Sequence, residues 1–570
     1  MVTPTLLAKD GLRIAVEGCG HGTLHDIYAS VKKSCELKGW EGVDLLIIGG
    51  DFQAVRNALD LKAVSMPSKY YAMHDFHEYY SGSRTAPYLT VFIGGNHEAS
   101  NYMWELYYGG WAAPKIYYMG AANVIRLGPL RIAGLSGIWK GYNYKKPHYE
   151  RLPYNADDVR SIYHVRELDT RKLLQLRSQV DIGLSHDWPR RMEWKGNHQQ
   201  LFRVKTHFEQ EAKDGTLGSV AAAKVLERLR PAHWFSAHMH VKYSAIWEHQ
   251  DVQISQSEVR DETAVPKIVD KVEFDIDDGP SGAPAKNEEE IDLDLDMDDD
   301  NAPQPLVPEV KPAGFDSKNQ TGVPGSSETV SQDIRALLPE SFARPRNDVT
   351  ETLPFPADIT NKTTKFLALD KCLPNRHFLQ LVEIRPHSTA SFQRPLRLEY
   401  DTEWLAITRV FADHLRVGDI NAQVPGDKGD AFYRPRIEQE MEWVEENLVK
   451  AGKMAIPEDF AQTAHEYNPA LGINVDGTPQ EYTNPHTQTF CELLQIPNVF
   501  HASDEERMQM MQQGPRRESE RTDNRGAGGR GHGGGRGGRG RGRGGGRGGR
   551  GGGFNANQSP LGRGRGRGQW

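Results

Sequence analysis

Apolar residues in the first 250 positions gather into short runs instead of scattering singly. Residues 12–16, 43–48, 89–93, 130–135 and 180–184 are each of strand length, and several close on glycine or a polar residue. A continuous apolar run bounded by turn-forming residues predicts a strand buried on both faces. Between some of the runs the pattern is helix-like, over 24–37 and again over 220–229. Strands alternating with helices predict an α/β domain over residues 1–250. In such a sheet, functional loops gather at the carboxyl ends of the strands.

Beyond residue 250 the pattern breaks. Residues 251–344 are rich in proline, serine and glycine around a mostly acidic run at 288–300. Such a segment buries too little apolar area to offset its ordering entropy, and it is expected to be a disordered linker. Residues 345–500 recover a globular composition. Phe366, Leu367, Leu369, Phe378, Leu381 and Val382 supply core material, and Ile437, Met441, Val444 and Leu448 fall on one helical face. A second, smaller domain is expected there. Residues 501–570 are expected to be a disordered tail, almost wholly glycine and arginine from 525 onward: a flexible cationic strip that cannot pack a core.

Length and charge add little to this division. A chain of 570 residues predicts two or three folded units plus tails. The formal net charge of -8 averages an acidic middle and a basic end, so the local runs say more about partners than the sum does. Cys19, Cys35, Cys372 and Cys491 are scattered without paired spacing, which argues against a disulfide scaffold and for a reducing compartment. No apolar stretch is long enough to cross a bilayer and no signal pattern opens the chain, so a soluble intracellular protein is expected.

The chemistry lies in five short motifs, each in a loop after an apolar run: Gly18-Cys19-Gly20-His21, Gly50-Asp51, Gly95-Asn96-His97-Glu98, Ser185-His186-Asp187 and Ala237-His238-Met239-His240. Any one would be weak evidence; five in order are hard to reach by accident. Imidazole, carboxylate and thiolate are the usual ligands of borderline transition metals. Cys19 and His21 are two apart, as are His238 and His240, and in extended chain such pairs point the same way. Asp51 can bridge two ions through its two oxygens, and Asn96 offers a neutral amide oxygen. Two ions about 3.5–4 Å apart clamp a phosphate and lower the pKa of a bound water. If Asn96 faces the metal, His97 faces away, toward a scissile phosphate, where it suits a general acid; a further ligand or a loop histidine is the other reading. Glu98 could orient that imidazole or lie in solvent.

This ordered set resembles the calcineurin-like metallophosphoesterases, whose pattern runs Asp-x-His, Gly-Asp, Gly-Asn-His-Glu or Asp, His, and Gly-His-x-His. The resemblance implies a β-sandwich flanked by helices. Cys19 stands where that superfamily usually has aspartate, and Ala237 replaces the last glycine. The cysteine implies either a weakened first site or a softer one that favours zinc or iron over magnesium; a small buried residue is the remaining alternative.

The cysteine narrows the family. Asp51-Phe52-Gln53-Ala54-Val55-Arg56-Asn57, Gly94-Gly95-Asn96-His97-Glu98-Ala99-Ser100-Asn101, Ser185-His186-Asp187-Trp188-Pro189 and Trp234-Phe235-Ser236-Ala237-His238-Met239-His240 resemble the RNA lariat debranching enzymes. So does Phe366-Leu367-Ala368-Leu369-Asp370-Lys371-Cys372-Leu373-Pro374 in the second domain. The resemblance implies metal ligation by Cys19, His21, Asp51, Asn96, His186, His238 and His240, with His97 as the acid. It implies divalent ions, two of manganese, zinc or iron, and hydrolysis of the 2′,5′-phosphodiester at the branch of intron lariat RNA. It also implies a nuclear place in mRNA processing, with the cytoplasm open as a second location.

A substrate loop is expected over 136–168, where Trp139, Tyr142, Tyr144, Tyr149 and Tyr154 interleave with Lys140, Lys145, Lys146, His148 and Arg151. Splayed bases stack on aromatic rings, each worth about 1–3 kcal/mol, beside cations that hold phosphate. A surface loop packed on its own aromatics would read the same way. Tyr70, Tyr71, Phe76, Tyr79 and Tyr80 are expected to be helix packing. The Arg/Gly tail resembles RGG segments and is expected to meet RNA or nuclear proteins, or to act only as a solubilising linker. A protein or nucleotide phosphatase on the same scaffold, or a non-catalytic RNA-binding scaffold, are the competing functions.

Overall fold

The apolar runs become strands because each is enclosed on both faces. In the computed structural model, which describes residues 11–250, 353–388, 392 and 394–517, the five runs fall in β1, β2, β3, β7 and β8 of a series that comprises β1 (Leu12–Glu17), β2 (Leu45–Ile48), β3 (Thr90–Phe92), β4 (Gly110–Ala113), β5 (Ile116–Tyr118), β6 (Ala122–Leu127), β7 (Leu130–Leu135), β8 (Ile182–Ser185), β9 (His233–Ser236) and β10 (Tyr243–Glu248). The C-terminal region adds β11 (Thr363–Ala368), β12 (Leu379–Ile384) and β13 (Leu398–Tyr400). The expected acidic linker and the Arg/Gly run lie outside the described residues. Residues 504–513, counted with the tail from composition, instead form a helix. Ser503 and Glu506 close a capping box at its start, and a glycine at positive φ, Gly514, ends it.

Two sheets form, ordered β12-β1-β2-β3-β5-β4 and β10-β11-β9-β8-β7-β6-β13. Leu12, Ile14 and Val16 of β1, with Leu45, Ile47 and Val91, join Ile132, Leu184, Phe235 and Leu367 of the other sheet in one core. Residues one step out of phase, Ala15, Leu46, Ile48 and Phe92, face a second core under the Leu24–Lys38 helix, with Leu24, Ile27 and Val31. That two-residue alternation is the pleat of a sheet covered on both sides. Full burial of each such aliphatic side chain contributes about 1.5–3 kcal/mol. Helices Val220–Leu229 and Thr402–Phe411 pack into the first core through Val225, Leu226, Leu405 and Ile407.

The C-terminal region, read from composition as a separate smaller unit, supplies strands to both sheets. β11 lies between β9 and β10, parallel to β9, while β12 runs antiparallel along β1 and β13 along β6. Pairing of this kind joins residues some hundreds of positions apart, such as Leu12 and Ile384.

Because β1, β2 and β3 are mutually parallel, as are β8, β9 and β11, the loops leaving their carboxyl ends emerge along common edges. All five sequence motifs sit in those loops. Cys19, Cys35, Cys372 and Cys491 are buried, and among the described residues none forms a disulfide. Among the described residues no helix is long and apolar enough to cross a membrane.

His233, at the start of β9, gives the fold a pH dependence. Burial and the nearby Lys365 push its imidazole down to about 4, and its Nδ1 is buried without a hydrogen-bond partner among the described residues. The folded state therefore favours the neutral ring. Its contribution is fully present above pH ~6.5, the ordinary histidine value, and is lost as pH falls toward 4. At about 1.4 kcal/mol per unit, roughly 3–3.5 kcal/mol is at stake over the whole window, most of it by pH 4.5. Urea midpoints at pH 7 and 4.5 should differ less in His233→Gln than in the natural chain.

Candidate metal centre

Cys19 and His21 follow β1, Asp51 follows β2, Asn96 and His97 follow β3, His186 follows β8, and His238 and His240 follow β9. Ligand atoms of Cys19, His21, Asp51 and His240 all lie within 4.8 Å of one another. Asp51 is the hub. Its Oδ1 accepts the backbone N–H of His97 at 2.9 Å, and its Oδ2 stands 3.4 Å from His186 Nε2 and 3.8 Å from His21 Nε2. On one side His21 Nε2 and His240 Nε2 approach to 3.4 Å. On the other, the rings of His186 and His238 lie 5.0 Å apart. The backbone N–H of His238 donates to Cys19 Sγ at 3.2 Å.

The extended-chain expectation for the i, i+2 pairs is corrected here. His21, Asp51, Gln53, His238 and His240 all have positive φ, between 41° and 65°. Turns, not straight strands, deliver these side chains, so His238 reaches the His186 side while His240 reaches His21. Left-handed backbone at non-glycine residues costs about 1–3 kcal/mol each and collects at functional sites.

Two of the imidazoles, His186 and His21, are fixed through their other nitrogen. His186 Nδ1–H donates to the Gly49 carbonyl at 2.8 Å, which leaves Nε2 facing Asp51, where it would turn a lone pair to a bound cation. The Gln53 amide meets His21 Nδ1 at 3.2 Å. Burial by itself would raise the Asp51 carboxyl, but His186, His97 and His21 around it hold it well below the usual carboxylate range. Asn96 Oδ1 is buried with no hydrogen-bond partner among the described residues. A buried amide oxygen without a donor, in the loop that also carries His97, fits a cation. The donor set of thiol, imidazole, carboxylate and amide fits divalent ions of the borderline class.

His97 is 1 % exposed, and its Nδ1–H donates to the Ser65 carbonyl at 2.9 Å. Glu98 does not orient that ring and is not solvated. Its two oxygens accept the backbone N–H groups of Phe52, Gln53 and Gly95 at 2.8–3.0 Å, tying two motif loops together. Burial, with the charge of Asp51, pushes it up to about 7. A backbone carbonyl leaves no mark in a sequence, so Ser65 could not have been found from it. Trp188 and Asp187 serve the same scaffold: Trp188 Nε1–H donates to the Ala237 carbonyl, and Asp187 accepts the N–H of Trp139.

Gly95 is demanded by this crowding. A Cβ there would stand 2.2 Å from Asp51 Oδ1 and 2.7 Å from His186 Cε1. Gly95→Ala should therefore displace Asp51, and metal content after dialysis, measured by elemental analysis, should fall together with activity. Retained metal at full stoichiometry would show that the loop yields instead.

The expected substrate loop lies beside the centre, and its aromatics divide. Tyr142 is 62 % exposed, Lys145 and Lys146 are exposed, and Trp139, Tyr144, Arg151 and Tyr154 are half-buried. The Trp139 and Tyr144 rings meet at 4.8 Å. Tyr149 is buried, with the guanidinium groups of Arg166 and Arg516 each 5.2 Å from its ring centre, and it packs the loop from beneath instead of offering a platform. His148 is likewise internal, paired with Asp169 at 2.8 Å. Of the second aromatic set, Phe76, Tyr79 and Tyr80 are buried in the Phe76–Tyr80 helix, whereas Tyr70 and Tyr71 are half-exposed before it.

Fold and site together define a metallophosphoesterase. The calcineurin-like phosphoesterase family matches residues 12–242, and the lariat debranching enzyme C-terminal domain matches residues 361–499. The chain is 38% identical to the lariat debranching enzyme of Schizosaccharomyces pombe, over 85% of this chain and 96% of that one. It is 36% identical to the lariat debranching enzyme of Arabidopsis thaliana, over 86% and 88%, and 37% identical to that of Homo sapiens, over 86% and 70%. The chain belongs to the lariat debranching enzyme family. It is a metal-dependent phosphodiesterase of the calcineurin-like superfamily.

Proposed function

We propose that the chain hydrolyses the 2′,5′-phosphodiester at the branch point of excised intron lariat RNA, linearising the intron for turnover. The observation that carries this reading is the meeting of five loops on Asp51, beside a loop whose exposed Tyr142, Lys145 and Lys146 suit splayed bases and phosphates. Two divalent ions of manganese, zinc or iron, one beside Cys19, His21, Asp51 and His240 and one beside Asp51, Asn96, His186 and His238, would supply charge to the phosphate and a hydroxide nucleophile near neutral pH.

The chain's own residues do the rest. Asp51 and the imidazoles hold the centre. His97, aimed through Nδ1 by Ser65, gives its Nε2 proton to the branch 2′-oxygen as the bond from phosphorus to that oxygen breaks. The phosphate stays on the 5′ end of the opened intron. Trp139, Tyr142, Tyr144 and Tyr154, with Lys145, Lys146 and Arg151, hold the bases and phosphates that flank the branch, and Tyr149 supports them from below. The Arg/Gly tail adds salt-sensitive affinity for RNA or nuclear proteins, and the protein works in the nucleus.

Purified protein should cleave 2′,5′-branched RNA and leave linear 3′,5′ RNA and a small phosphomonoester largely uncut. Failure on the branched substrate with activity on either of the others would overturn this reading.

A further inference from the structure

His97 points where Ser65 lets it point, since its Nδ1–H is held by the Ser65 carbonyl. The chain leading up to Ser65 is anchored to the C-terminal region. Arg56 reaches Thr463 Oγ1 at 2.8 Å, the Asn57 amide donates to the His465 carbonyl at 2.9 Å, and the Lys62 ammonium donates to the carbonyls of Val475 and Gly477, both at 2.6 Å. Ser65 itself is 2 % exposed, and its hydroxyl meets the Tyr163 hydroxyl at 3.2 Å. Tyr163 belongs to the substrate loop. Its carbonyl accepts the N–H of Ile138, and Val165 N–H donates to the Ile138 carbonyl, so Tyr163 is pinned directly beside Trp139.

We propose that Tyr163 is a positioning residue for His97. Through the bridge from Tyr163 to Ser65, the seating of the substrate loop sets the aim of the imidazole that protonates the leaving oxygen. This rests on the reading of His97 as general acid. Neither Ser65 nor Tyr163 belongs to the candidate ligand set, and both can lose a hydroxyl with little change in volume. Tyr163→Phe removes one end of the bridge. Ser65→Ala removes the other while keeping the backbone carbonyl that His97 uses.

The test compares two substrates on the full-length, metal-loaded protein. Branched RNA expels a sugar alkoxide and needs a proton, whereas bis(4-nitrophenyl) phosphate expels a nitrophenolate that departs without one. Each variant should lose about tenfold in kcat on branched RNA, the scale of one buried hydrogen bond, with KM and metal content unchanged. On the nitrophenyl ester each should stay within about twofold, well inside that hydrogen-bond effect. The double variant should be no worse than the weaker single one, because the two hydroxyls share one bridge. Equal losses on both substrates, or a loss of metal, would overturn the proposal by making Tyr163 merely structural; so would full activity of both variants on branched RNA. His97→Ala separates the two levels of the argument. If it impairs both substrates alike, the acid reading fails and takes this inference with it. If it is selective and Tyr163→Phe is not, only the inference falls.

Discussion

His97→Ala is expected to lower single-turnover cleavage of branched RNA by about 10²–10⁴-fold, the range a positioned general acid supplies. The geometry says why the loss should be confined to the chemical step. What residue 97 gives to the metal centre is its backbone N–H, which donates to Asp51 Oδ1 and survives the substitution. What it gives to the reaction is the imidazole, which is held at Nδ1 by Ser65 with its ring centre 5.7 Å from that of His21. Metal content and affinity for the branched RNA should therefore match those of the natural chain. If metal content falls in step with the rate, His97 is a ligand and not an acid, and the assignment of roles around Asp51 has to be redrawn.

Much of this arrangement is legible in the chain. The runs at 130–135 and 220–229 coincide with an observed strand and helix because enclosure on both faces, or along a strong apolar stripe, leaves a local pattern. The ligand motifs are legible for a similar reason: five of them, in order, stand at the ends of such runs. What could not be read is whatever depends on distant backbone. Nothing in residues 363–368 says that they will slot between β9 and β10, since a strand carries its own face pattern and not the identity of its neighbour. The left-handed turns at His21, Asp51 and His238 are imposed by the packing around them. The division of the loop aromatics into an exposed Tyr142 and a buried Tyr149 has no periodicity to announce it, because a loop has no fixed face. His97's partner is a carbonyl, which every residue possesses.

The same distinction governs Arg56, whose substitution should produce the largest loss of stability. The residue sits in one of the motifs that resemble the family, and a cation near a phosphoesterase centre invites a role in binding phosphate. Its surroundings assign it elsewhere. Arg56 is 0 % exposed. Its Nε and Nη2 fork onto Asp60 at 2.8 and 3.0 Å, and Nη1 reaches both Glu105 at 2.7 Å and Thr463 at 2.8 Å. The guanidinium carbon lies 4.0 Å from the centre of the Tyr102 ring. Burial pushes Glu105 up to about 7, and the charge of Arg56, then the hydrogen bonds from Thr463 and Arg56, oppose that rise. Arg56→Met would thus leave Asp60 and Glu105 buried with no cation between them, a defect that typically costs about 3–5 kcal/mol. It would also cut the tie from the motif loop to Thr463. A lysine would restore a charge but not the fork, so Arg56→Lys should recover only part of the loss. Urea unfolding at neutral pH measures both variants. An Arg56→Met protein as stable as the natural chain but weak in RNA affinity would return this arginine to the substrate.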